Sequence, residues 1–171
     1  MRINQYLREM EGIPNQNVKE NYIQLKQATL KDLPILYEIT QSSMEEINDH
    51  SNINRSDDEK ISHYQKYVND FSPKIDNTFL IEAENKIIGR LRLENTESNI
   101  HIGGIQILPK FQGRGAGSKI INSLKKHNKN ITLMVHKVNK KAISFYQKHG
   151  FTIEIEKETQ FKMIFTLQSQ T

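Results

Sequence analysis

Gln112-Gly113-Arg114-Gly115-Ala116-Gly117 follows an apolar run, Ile105 to Leu108, and precedes a stretch with helical spacing. Three glycines within five residues are not what packing calls for. They leave a bare backbone where a strand turns into a helix. Such a turn aims several unpaired N–H groups and the positive helix end at one spot, which suits a phosphate or pyrophosphate. Arg114, and Lys110 just before the loop, add positive charge. The expected ligand contacts are Gln112, Gly113, Arg114, Gly115, Ala116, Gly117 and Ser118. A side chain at Gly115 or Gly117 is expected to push the ligand off the backbone. A plain strand–helix turn is the alternative, but it leaves many donors unmet.

Working outward, a second signature lies thirty residues on: Asn139, Ala142, Phe145-Tyr146 and Gly150-Phe151. Between the two, residues 115–127 read as a helix and 131–135 as a strand. A helix over 139–149 and strands over 151–158 and 160–167 follow. Upstream, Asn99–Leu108 reads as a strand whose apolar positions change parity, Ile100 and Ile102 and then Ile105 and Ile107. A β-bulge at Gly103-Gly104 would keep all four isoleucines on one face. Thr78–Ala83 and Lys86–Glu94 read as a hairpin turning at Glu84-Asn85, with Ile87, Leu91 and Leu93 alternating against Ile88, Arg90 and Arg92. Ser56-Asp57-Asp58-Glu59 is a capping box opening a helix with Ile61, Tyr64, Val68 and Phe71 as its apolar stripe. Thr29 to Asp32 starts another, carrying Leu33, Leu36, Tyr37, Thr40, Met44 and Ile47, and Tyr22 to Gln27 is a first strand. The expected fold is α/β, with about seven strands and about four helices. Residues 1–21 read as a polar N-terminal extension and 22–168 as one domain.

Composition narrows the chemistry. The 171 residues suffice for one domain with a real core, at 36% hydrophobic and 26% charged. With no cysteine there is no disulfide, no thiolate metal site and no acyl-cysteine route. The six histidines show no paired ligand spacing, so no metal is expected. No apolar run approaches a membrane span and no signal-peptide core is present, so a cytoplasmic protein without membrane attachment is expected. The net charge of +4 is mild, and the Lys125, Lys126 and Lys129 cluster suits a helix end better than nucleic acid.

The loop and the second signature together resemble the GNAT superfamily of N-acetyltransferases. Its phosphate loop, Gln/Arg-x-x-Gly-x-Gly/Ala, is met by Gln112 to Gly117 throughout, and the later Phe-Tyr…Gly-Phe also fits. The resemblance implies a mixed, mostly antiparallel central sheet flanked by the helices, with a splayed strand pair for the coenzyme. It implies acetyl-CoA as co-substrate and a small-molecule or peptide amine as acceptor. A dinucleotide is disfavoured, because residues 131–138 hold no acidic residue for a ribose. Members often pair, which leaves a homodimer open.

The same resemblance assigns roles. The backbone of Ile105 and Ile107 would face the pantetheine arm, with an N–H near Ile105 placed to stabilise an oxyanion. Asn139 is either a helix N-cap or a coenzyme contact, and Ala142 on the same helix face leaves room for the ligand. Tyr146 is the candidate acid for the leaving thiolate, set against a simply packed tyrosine. His101 is the candidate general base, with Glu94 the alternative. Glu45, Glu46, Asp49, Asp57, Asp58 and Glu59 form either an acidic rim for a cationic amine or a solvated helix face and cap. The expected activity is acetyl transfer by direct attack in a ternary complex. A non-catalytic acyl-CoA-binding regulatory domain is the alternative.

Overall fold

The computed structural model describes residues 23–47 and 56–167, without the side chains of residues 44–47. The expected extension over residues 1–21, the rim residue Asp49 and the side chains of Glu45 and Glu46 fall outside what is described. The order is β1 (Ile23–Gln27), α1 (Leu33–Ile47), α2 (Asp57–Phe71), β2 (Thr78–Ala83), β3 (Lys86–Asn95) and β4 (Asn99–Ile107). It continues with α3 (Ala116–Lys125), β5 (Asn130–His136), α4 (Lys140–Lys148), β6 (Thr152–Glu156) and β7 (Gln160–Phe165). The strands form one sheet in the order β1-β2-β3-β4-β5-β7-β6. Among the described strands only β4 and β5 run parallel, connected across one face by α3.

Each face of the sheet has its own core. The larger holds Ile100, Ile102, Ile131, Leu133 and Met163 beneath Ile120, Ile121 and Leu124 of α3 and Ile143 of α4. Burying each such side chain is worth about 1.5–3 kcal/mol. The smaller joins Leu33 and Leu36 of α1 to Phe71, Ile75 and Leu80 on the opposite face.

The bulge in β4 is present. Arg92 pairs with Gly104 and Leu93 with Ile102, so Gly103 is the extra residue. Ile105 and Ile107 consequently pack against the same core as Ile100 and Ile102. The hairpin turns at Glu84 and Asn85, both left-handed (φ 51° and 60°), as a two-residue turn matched to strand twist requires.

A second bulge corrects the reading of β3. Ile81 pairs with Gly89 but Glu82 with Ile87, leaving Ile88 extra. Ile88, not Ile87, therefore joins Leu91 and Leu93 in the larger core, and Ile87 packs in the smaller one. The α2 stripe also differs. Ile61 is 57% exposed, and Tyr67 packs in its place beside Val68 and Phe71. The helix meets the sheet through its C-terminal turns, so its first turn faces solvent.

Candidate active site

The loop is built by two left-handed glycines, Gly113 (φ 73°) and Gly115 (φ 84°), the latter serving as N-cap of α3. That conformation favours glycine strongly. Among the described residues, the N–H groups of Gly113 to Ser118 meet no acceptor. They lie at the positive end of α3, where an oxyanion would be held. Arg114 donates to the Lys110 carbonyl (3.0 Å) and lies over the Phe111 ring, so its exposed guanidinium stays beside the loop. Gly117 has another purpose than expected. A Cβ there would come within 3.1 Å of Phe145 Cζ, so this glycine does serve packing, of α3 on α4. Nothing lies within 4 Å of a Cβ placed at Gly115, where the backbone angle alone explains the residue.

The strand before the loop leaves its neighbour. β4 and β5 pair only from Asn99↔Asn130 to Ile102↔Leu133; beyond that each pairs on its other side alone. The Leu108 N–H donates to Ile88 O (2.8 Å). By the alternation of an antiparallel ladder, Ile105 and Ile107 aim their N–H and C=O groups away from β3, into the wedge opened by β5. Gln112 Nε2 donates to Ile107 O from that side (2.9 Å), and Lys141 Nζ donates to Gln112 Oε1 (2.5 Å). Gln112 thus ties the end of β4 to α4.

Helix α4 supplies the second signature. Asn139 is its N-cap, accepting from Ala142 N (3.0 Å). Tyr146 is 8% exposed and packs edge-on against Phe145 and Phe151. Burial pushes its phenol well above the ordinary tyrosine range, so it stays protonated. Its hydroxyl bonds to no described residue and is not among the buried polar atoms left without a partner. It therefore opens onto accessible space.

His101 and Glu94 lie across from each other on β4 and β3. His101 alternates with the core residues Ile100 and Ile102, so it occupies the α1/α2 face of the sheet, opposite Tyr146. Its Nδ1 is 3.1 Å from Thr132 Oγ1. Burial lowers its pKa, opposed by Glu94. Glu94 accepts from Arg92 Nη1 (2.6 Å), and Arg92 Nη2 donates to Gly103 O (3.2 Å). Asp57 pairs with Lys60 on the surface and Glu59 closes the cap on Ser56, so these acidic residues form a solvated cap and helix face.

Residues 74–153 match the family model described as Acetyltransferase (GNAT) domain. Over this stretch, a little under half of the sequence, the chain is similar to a GNAT domain. Solved structures agree on the fold. The PaiA N-acetyltransferase of Thermoplasma acidophilum, in complex with coenzyme A, is 19% identical and superposes with a TM-score of 0.66 over 85% of this chain and 99% of its own. An acetyltransferase of Thermus thermophilus gives 19% and 0.67 over 85% and 97%. A GNAT-family acetyltransferase of Listeria monocytogenes gives 14% and 0.62 over 90% and 100%. No curated protein sequence matches the chain.

The domain also holds functional candidates that sequence reasoning missed. Arg90 on β3 is 8% exposed, with Tyr67 and Phe71 of α2 and Gln106 of β4 around it. The one available signal was an arginine amid an apolar strand. Among the described residues, no three metal-ligating side chains gather, and no helix is long and apolar enough to cross a membrane.

Proposed function

We propose that the domain is an acetyl-CoA-dependent N-acetyltransferase whose acceptor amine attacks the thioester directly in a ternary complex. The observation that carries this is the run of unclaimed N–H groups, Gly113 to Ser118, at the mouth of the β4/β5 wedge. A pyrophosphate fits those donors, and an extended amide-bearing arm fits the outward N–H and C=O of Ile105 and the N–H of Ile107, whose carbonyl accepts from Gln112. The PaiA relative, solved with coenzyme A, supports the choice of ligand.

The chain's own groups then divide the work. An N–H near Ile105 stabilises negative charge developing on the thioester oxygen. Tyr146, held protonated by burial, donates to the departing sulfur. The same dry surroundings raise the proton affinity of that sulfur, which keeps the transfer feasible. His101, neutral at neutral pH and on the acceptor side of the sheet, takes the amine proton directly or through water, with Glu94 beside it.

A calorimetric titration with acetyl-CoA tests the loop. The wild type is expected to bind and Gly115→Glu to fail, since φ 84° and the ligand's place both refuse the side chain. Binding by neither protein would sink the proposal. Tight coenzyme binding with no transfer to any amine in a broad panel would favour the regulatory-domain reading.

A further inference from the structure

Among the described residues, Arg90 carries a charge without a counter-ion. Its Nε donates to Gln106 Oε1, and its guanidinium lies 4.7 Å from the centre of the Phe71 ring. The groups that face it electrostatically are the Tyr67 phenol and Arg92; among the described residues no carboxylate does. Nη1 is buried and makes no hydrogen bond. Nη2 makes none either, yet it is not sealed in, so the outer edge of the fork is open on one side. A buried cation left in this state is costly, and its accessible Nη2 edge suits an anionic oxygen such as a carboxylate supplies. Burial without a partner pushes the Arg90 pKa down to about 10, in keeping with this.

Its surroundings point to the acceptor. Gln106 belongs to the part of β4 that has left β5, so Arg90 sits alongside the wedge. It lies on the α1/α2 face, whereas the phosphate loop, α3 and α4 serve the other. Tyr67 presents its hydroxyl there, 3.5 Å from Thr40 Oγ1, whose own proton goes to the Leu36 carbonyl (2.8 Å).

We infer that Arg90, with Tyr67 beside it, receives a carboxylate carried by the acceptor, so that the substrate class is an amino acid or other amino-carboxylate. This rests on the enzyme reading above and narrows it. It replaces the cationic acceptor that an acidic rim would have suited, since Asp57 and Glu59 are engaged in their own helix.

The test compares α- and ω-amino acids with their carboxamides as acceptors, using acetyl-CoA and full-length protein. The expected result is a kcat/KM at least about 30-fold higher for the best acid than for its amide, the usual scale of a lost charged hydrogen bond. Arg90→Met should abolish that preference and Arg90→Lys should keep only part of it. Equal use of acids and amides by the wild type would overturn the inference, whether or not a variant folds. So would a preference that survives in Arg90→Met, or a stronger preference for phosphate-bearing amines. If no amine of either kind is acetylated, the enzyme reading fails separately. The carboxylate site then stands or falls on whether the same amino acids raise the melting temperature of wild type but not of Arg90→Met.

Discussion

Gly117 lies under the ring of Phe145: a Cβ there would approach Cζ to 3.1 Å, closer than ordinary contact. The ring is itself held against Tyr146 and His149. Gly117→Ala is therefore expected to destabilise the fold by about 1 kcal/mol, the low end of overpacking. In a Phe145→Leu background the same change should be neutral or stabilising, because alanine is then only a better helix former. Denaturant midpoints of the four proteins measure this coupling, and equal effects in both backgrounds would refute it.

Tyr146→Phe removes a hydroxyl that bonds to nothing described, so the fold should not notice. The melting temperature and acetyl-CoA affinity are expected to stay near wild type while kcat falls about 100-fold, the low end for general acid catalysis. Unchanged turnover would remove Tyr146 from the chemistry.

The helix that brings Tyr67 and Phe71 over Arg90 begins at a full capping box. The Ser56 N–H donates to Glu59 Oε2 (2.7 Å) and the Glu59 N–H to Ser56 Oγ (3.3 Å). Ser56→Ala should cost about 1 kcal/mol of stability. Chemical denaturation reads the loss, and a change below a few tenths would show that the end of α2 is not coupled to the fold.

His101 makes a signed prediction for pH. Burial lowers its folded pKa below the ordinary histidine value of about 6.5, so the unfolded chain binds more protons between the two values. Stability should fall as pH drops from about 6.5 to the depressed value, and level off below it. His101→Gln should flatten that segment of the curve. If His101 is also the base, kcat/KM loses its acidic limb in the same variant. A slope that persists in His101→Gln would assign the titration elsewhere.

The bulge at Gly103 was legible because isoleucines on both sides changed parity, and only one inserted residue restores a single buried face. The bulge at Ile88 was not, because Ile87 and Ile88 are both apolar and either can point inward. The face of Arg90, opposite Leu91 and Leu93, was legible, but not that Phe71 of α2 covers it there. Periodicity marks Ile61 as readily as Val68 and Phe71, because it names a face without saying how far along it the contact runs. The left-handed turn at Gly113 and Gly115 and the N-cap at Asn139 were readable because they follow from local chain geometry. The Arg90 surroundings gather from β3, β4 and α2, which no local spacing encodes.

The parting of β4 from β5 also bears on cooperativity. With four register pairs holding them, the sheet is two ribbons, β1 to β4 and β5 to β7, stitched along a short seam at Asn99–Ile102. A coenzyme lying in the gap and bonding to Ile105 and Ile107 acts as the missing lath. Amide exchange at the ends of β4 and β5 should then slow together when it binds, turning two loosely joined plates into one.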